Sequence, residues 1–238
     1  MTEESQGIII HAIDYKENSK ILYLLTKDGK ESLLVNNAKK LNAGRLYASQ
    51  VLSLVSYSKS TADLARATSL ELIDDFNEIK GDIKRFAVAS YALELLYKDI
   101  NADFNSDVLY KMVLTFFNEL KKRENLKPLY LEFKIKMLYF LGIQPNFKAC
   151  SCGAKTNLIG LNINTGMMEC KIHQSSGNIG SDATKILRLF YLDKTFELEV
   201  SNKEAIDYLL DIVNKYYLKH SGVKIKAEKL IADLSNFT

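Results

Sequence analysis

The hydrophobic period of this chain changes once, near residue 80, and that change limits its fold more than any other feature. Upstream, apolar residues come in short β-rich runs at 7–13, 20–26, 30–35, 50–57 and roughly 64–72. Lys27-Asp28-Gly29 separates the second run from the third. An Asp-Gly between two strand-like runs predicts a hairpin, here with a type I′ turn and positive φ at both central residues. Five short strands in so little chain point to a small closed or nearly closed barrel, which leaves no exposed edges.

Downstream the period is helical. Leu109, Met112, Val113, Phe116, Phe117 and Leu120 line one helix face, with Asn105-Ser106-Asp107 as a cap signal before them. Pro128 suits the first turn of a helix reaching about Leu141, and Gly142 and Pro145 end it. Ser201-Asn202-Lys203-Glu204 reads as a capping box for a helix with Ile206, Leu209, Leu210, Val213 and Tyr217 on one stripe and Gly222 as its stop. Between Gln144 and Ile179 the chain is polar and glycine-rich, and helical pattern resumes at Ser181-Asp182. The resulting fold class is α+β multidomain: a barrel over 1–80, a first helical part over 81–146, an insertion over 147–180 and a second helical part over 181–238.

Composition removes several function classes. With 238 residues, 47% of them hydrophobic and 26% charged, the chain is neither disordered nor fibrous. A net charge of +3 permits nucleic-acid binding without demanding it, so any footprint must come from local patches. MTEESQGIII has no basic n-region and is expected not to act as a secretory leader. No uninterrupted apolar run approaches the ~18 residues of a membrane span. Three cysteines make a disulfide framework an unattractive reading, and a cytoplasmic location is expected.

All three cysteines fall in the insertion. Cys150-Ser151-Cys152 and Cys170-Lys171-Ile172-His173 form two short pairs of soft ligands, the layout of a zinc ribbon. Cys150, Cys152, Cys170 and His173 would supply four protein ligands and leave no open position, so the zinc would be structural. The first pair is C-x-C, one residue tighter than usual, which predicts a distorted turn; the competing reading is a set of ordinary thiols.

Lysines mark the barrel: Lys16, Lys20, Lys39 and Lys40, with Arg45 following. Small barrels bind single strands through cationic grooves with aromatic platforms. Acids at Asp14, Glu17, Asp28 and Glu31 interleave with them, so a solvated surface competes with this reading. Lys224 and Lys226 lie in a second basic run that reads equally as a solvated helix end. There is no phosphate-binding Gly-rich loop, no serine elbow and no H-E-x-x-H, so an enzyme is the least supported class.

Four segments, taken together, resemble the RecO family of bacterial recombination mediators. Gly7-Ile8-Ile9-Ile10-His11 through Asp14-Tyr15-Lys16-Glu17-Asn18-Ser19-Lys20-Ile21 resembles that family's opening. Asn37-Ala38-Lys39-Lys40 with Arg45 resembles its basic loop. Phe133-Lys134-Ile135-Lys136-Met137-Leu138, then Leu141-Gly142-Ile143-Gln144-Pro145-Asn146 and Cys152-Gly153, resembles its helix before a zinc loop. Tyr217-Leu218 through Val223-Lys224-Ile225-Lys226-Ala227 resembles its terminal motif. Three departures stand out: Ala149 occupies the family's first cysteine position with Cys150 displaced by one, His173 replaces the last cysteine, and the basic loop carries lysines where the family has arginines.

The resemblance implies an N-terminal OB barrel, a helical domain with a zinc-ribbon-like insertion, and no covalent chemistry. It implies binding of single- and double-stranded DNA, strand annealing, and partnership with RecR and with the C-terminal tail of single-stranded DNA-binding protein to load RecA, in a cytoplasmic, nucleoid-associated setting. On that reading Lys39, Lys40 and Arg45 form the DNA surface, Lys16 and Lys20 its edge, and Lys224 and Lys226 an extension. Phe133, Lys134, Lys136 and Met137 are the candidate receptor for the acidic, apolar-ended tail. A protein-interaction adaptor and an RNA-binding OB protein are the alternatives.

Overall fold

A computed structural model describes residues 4–39, 47–60, 65–99, 105–173, 180–193, 195–196, 200–222 and 224–234. The strands are β1 (Ser5–Tyr15), β2 (Ser19–Thr26), β3 (Gly29–Val35), β4 (Leu54–Lys59), β5 (Ala67–Asp74), β6 (Asn146–Cys150), β7 (Leu158–Asn162) and β8 (Met167–Cys170). The helices are α1 (Asn77–Lys80), α2 (Ile83–Asp99), α3 (Ser106–Lys122), α4 (Leu126–Phe140), α5 (Gly180–Leu192), α6 (Lys203–His220) and α7 (Ala227–Asp233). Contacts divide the chain into one unit of Met1–Lys122 with Ile225–Ser235, and a second of Arg123–Lys224 with Asn236–Thr238. Among the described residues no helix is long and apolar enough to cross a membrane.

In the first unit, five antiparallel strands run in the order β3-β2-β1-β4-β5. The two outer strands then meet: Leu34 bridges Arg66 in parallel, and the Leu34 N–H donates to the Ala65 carbonyl at 2.9 Å. That closure makes the sheet a barrel of OB type, as the short strands predict. A bulge between Ile9 and His11 bends β1, which pairs with β2 along its length and with β4 through its first half. Ile9, Leu22, Leu24, Leu33, Val35, Val55, Tyr57 and Leu70 fill the interior. Ile8 and Ile10 are buried too, because α2 covers the outer face of β1, which accounts for three consecutive isoleucines.

Two local expectations are corrected. The hairpin exists, with Thr26 paired to Gly29, but Lys27 and Asp28 are not among the residues at positive φ; only Gly29 is, at 127°. The buried Thr26 hydroxyl holds this tighter form, accepting from the Asp28 N–H at 3.1 Å and donating to the Gly29 carbonyl at 2.9 Å. The fourth strand starts at Leu54, not at 50, since Leu52 sits at φ 58°.

In the second unit, α4 is the central element. It is buried almost all round, from Leu126 through Leu138, and packs against α5 and α6. Pro128 lies in its first turn, and Gly142 follows its end at φ 70°. The α6 cap is Asn202, one residue beyond the predicted Ser201; its side chain accepts from the Ala205 N–H at 3.1 Å. Gly222, at φ 66°, stops α6 as predicted. Leu210 is only half-buried, and Ile212 and Tyr216 join the core stripe. The insertion forms a separate sheet, β6-β8-β7, with β6 parallel and β7 antiparallel to β8.

Candidate metal centre and nucleic-acid surface

β6 and β8 end side by side, and each ends in a cysteine followed by a tight turn. In the first turn the Gly153 N–H donates to the Cys150 carbonyl at 2.9 Å; in the second the His173 N–H donates to the Cys170 carbonyl at 3.0 Å. The two turns close alike although their ligand spacing differs. Gly153, at φ 87°, takes the place a C-x-x-C would give its second cysteine, so Cys152 reaches the site from one position earlier. The expected distortion is absorbed by this glycine.

These turns bring Cys150, Cys152, Cys170 and His173 together, with all four ligand atoms within 4.8 Å of one another. Cys152 Sγ lies 3.8 Å from Cys170 Sγ, and Cys170 Sγ lies 3.4 Å from His173 Nδ1. A tetrahedral ion with metal–sulfur bonds of about 2.3 Å sets its sulfur ligands about 3.8 Å apart. Backbone N–H groups also aim at the sulfurs. The Cys152 N–H, then that of Cys170, draws the Cys150 thiol below its usual range; the N–H groups of His173 and Ile172 do the same for Cys170. Cys152 moves the other way: the Ala154 N–H pulls it down, but the Cys150 thiol, burial and Cys170 together push it up. Three crowded sulfurs cannot all ionise without a cation among them, so this cluster is a group fitted to hold a metal ion.

The basic residues of the barrel are only partly described. Lys16 is exposed at φ 53° with its ammonium 5.4 Å from the Tyr15 ring. Lys20 pairs across the β1–β2 ladder with Asp14, and Lys39 reaches the same carboxylate at 2.8 Å. The Lys39 hydrogen bond leads in holding the Asp14 carboxyl below the usual range. Lys16, Lys20 and Lys39 therefore gather at one end of the β1–β2 hairpin, where Asp14 meets Lys20 and Lys39 and the exposed Glu17 shares the turn with Lys16. Lys40 and Arg45 lie outside the described residues. Lys224 and Lys226 are both exposed, and they belong to different units.

The proposed tail receptor needs correction. Phe133, Lys134 and Met137 are fully buried, and Lys136 nearly so. The Lys134 ammonium donates to Asn214 Oδ1 at 2.6 Å and lies 5.0 Å from the Tyr217 ring. Lys136 donates to the carbonyls of Phe190 and Asp193 and lies 3.1 Å from Glu132. As folded, this stripe is core and offers no surface to a peptide.

Histidine chemistry is accounted for at each position. His11 stacks on Tyr97 with ring centroids 4.0 Å apart, and burial lowers its pKa. His220 Nε2 bonds the Ile163 carbonyl at 2.7 Å, and His173 belongs to the cysteine cluster. Asp74 and Asp75 serve the turn into α1, accepting from the N–H groups of Phe76 and Asn77. Sequence reasoning missed a surface groove of the first unit whose wall includes Phe86, Tyr97, Lys80 and Lys98. Its signal was present: Phe86, Ser90, Leu93, Tyr97 and Lys98 recur at helical spacing along α2, opposite its fully apolar face.

Comparison with known proteins agrees with this architecture. The chain matches the family model described as recombination protein O N terminal over residues 1–76, and that described as recombination protein O C terminal over residues 80–229. Among curated proteins it is 27% identical to the DNA repair protein RecO of Bacillus cereus (strain AH187) over 249 aligned positions, covering 100% of this chain and 99% of that one. The DNA repair protein RecO of Bacillus cytotoxicus is similar at 26% identity, again over 100% of this chain and 99% of the relative.

Proposed function

Because this chain belongs to the recombination protein O family of DNA repair proteins, we propose that it is a recombination mediator without catalytic chemistry of its own. On this reading it binds single- and double-stranded DNA, anneals complementary strands, and acts with RecR to load RecA onto strands coated by single-stranded DNA-binding protein in the bacterial cytoplasm, at the nucleoid. The observation that carries the proposal is the closed OB-type barrel with Lys16, Lys20 and Lys39 gathered at one hairpin end. Cations there neutralise two backbones at once and lower their mutual repulsion; base pairing then joins the strands. Lys40 and Arg45 would widen that surface, and Lys224 and Lys226 would extend DNA contact elsewhere. Lys39 meets a phosphate by exchanging the Asp14 carboxylate for it, so the exposed Lys16 is the readier contact.

The ion held by Cys150, Cys152, Cys170 and His173 is read as zinc, which suits three thiolates and one imidazole in tetrahedral array and has a structural role when all four positions are protein ligands. It would pin the ends of β6 and β8 and so fold the insertion. The limits 1–80, 81–146, 147–180 and 181–238 are a division by period and composition; by contacts, residues 81–122 and 225–235 join the barrel's unit.

The test is binding of a single-stranded oligonucleotide across a salt series, for wild type and for Lys16→Ala/Lys39→Ala. Affinity should fall with salt, and the double variant should flatten the slope by roughly 0.7 per lost contact, equally for all sequences. Wild-type protein that ignores DNA at low salt would sink the proposal.

A further inference from the structure

The first unit carries a groove of about 660 Å³, within the size range of ligand sites (roughly 300–1,000 Å³) and lined by none of Lys16, Lys20 and Lys39. One wall is β1 with the residues leading into β4; the other is the outer face of α2, with Lys226 at the start of α7. Three rings line it: His11, Phe86 and Tyr97. Phe86 is 40% exposed and presents its ring to the groove. His11 and Tyr97 stack on each other, and Tyr23 meets Tyr97 edge-on at 5.1 Å, so the aromatic wall is braced from behind.

Three lysines also line the groove: Lys80, Lys98 and Lys226. Its single acid, Glu94, is already satisfied inside the protein. Its carboxylate accepts from the backbone N–H groups of Lys226 and Ala227, each at 3.0 Å, and from the Lys98 ammonium at 2.6 Å. Burial alone would raise the Glu94 pKa, but these bonds outweigh it and hold the carboxyl below its ordinary value. The groove is therefore cationic and aromatic, with its one negative charge neutralised.

We propose that this groove is a second binding site for single-stranded DNA, with bases against the Phe86–Tyr97–His11 wall and phosphates against Lys80, Lys98 and Lys226. The proposal rests on the DNA-binding function above and adds a place to it. Charge complementarity favours a polyanion, and the rings favour one that carries bases: stacking on aromatic side chains is tolerant of sequence, as annealing requires. Two separate single-strand sites on one molecule would let it hold both partners of a duplex before they pair.

The experiment compares the full chain with Phe86→Ala, Phe86→Trp and Lys226→Ala, measuring binding to a thymidine oligonucleotide and to an abasic oligonucleotide of equal length. Phe86→Ala should weaken the thymidine complex roughly tenfold and leave the abasic complex unchanged, and Phe86→Trp should restore binding. Lys226→Ala should weaken both and flatten the salt slope by about 0.7. Equal loss on both oligonucleotides, or none, for Phe86→Ala would overturn the site while leaving DNA binding intact. An acidic, base-free peptide of equal charge that binds more tightly than the oligonucleotide and loses that binding in Phe86→Ala would assign the groove to a protein partner and overturn it too. Wild-type protein that binds neither oligonucleotide would remove this site and the proposed function together.

Discussion

The two units of this molecule build their cores from different materials. In the first, the barrel interior is aliphatic and aromatic, and its buried polar residues are the small Thr26, Ser49, Ser53 and Ser56. In the second, every buried charged residue of the described chain is found: Glu132, Lys134, Lys136 and Glu169, together with the buried Cys150 and Cys170. A closed barrel needs only side chains of the right size alternating along each strand. The second unit sets charges and thiols inside, where each must find a partner. Its stability should therefore answer to metal, and to pH near neutrality through a buried carboxyl that keeps its proton; that of the barrel should not depend on metal.

The chemistry of the buried charges is specific. Lys136 brings one positive charge to two carboxyl groups, Glu132 and Asp193. Burial pushes the Glu132 carboxyl up to about 8, against the pull of Lys136. Burial would raise Asp193 as well, but the hydrogen bond with Glu132 and those from Thr195 hold it down. The two carboxyls thus share one proton at neutral pH, and one negative charge remains to balance the lysine.

The comparison breaks most sharply at the metal. On the proposed zinc reading, a chelator, or Cys170→Ser, should release amide protection throughout β6, β7 and β8 and leave β1–β5 protected, because metal binding in such small sheets is itself folding energy. Hydrogen exchange read element by element checks this; loss of protection in the barrel as well would erase the distinction. Next in size is Lys136→Met, which takes the cation from the Glu132–Asp193 pair and the donor from the Phe190 and Asp193 carbonyls, and should cost about 3 kcal/mol on urea unfolding followed in the second unit. The matching cut in the barrel, Leu24→Ala, opens a cavity and should cost about 2–5 kcal/mol, with no dependence on chelator.

A smaller effect sharpens the pH side. Between about 4.5 and about 8, native Glu132 keeps a proton that the unfolded chain has lost, so stability should fall as pH rises through that window. Glu132→Gln should remove that fall; urea midpoints at pH 5 and pH 8 that drop equally in variant and wild type would contradict the shared proton. Smallest is Asn202→Ala, which loses the cap on α6 and should lower stability by about 1 kcal/mol, seen as a modest shift in thermal midpoint.

The same contrast explains what could be read in advance. The barrel was legible because alternation and an Asp-Gly pair are local signals; what escaped was the turn type, set by the Thr26 hydroxyl, and the late start of β4. The cysteine cluster was legible from spacing, since its four ligands come in two short pairs. Its turn geometry was not, because the role of Gly153 shows only when the two knuckles are laid side by side. The α4 stripe misled for a physical reason. Lysine in a helix normally marks the solvent face, and partners distant in sequence, such as Asn214 and Asp193 at 80 and 57 residues away, make Lys134 and Lys136 residents of the core. The groove beside β1 was missed because its lining comes from β1, residues 50–52, α2 and Lys226, segments far apart in the chain that no local pattern joins.

The most direct test of the functional account is the rate at which two complementary oligonucleotides anneal with and without this protein, across a salt series. Annealing faster than the spontaneous rate at low salt, fading as salt rises, is the result the account predicts. No acceleration at any salt, from protein whose barrel is folded, would contradict it and leave the chain as an adaptor that meets proteins and not DNA.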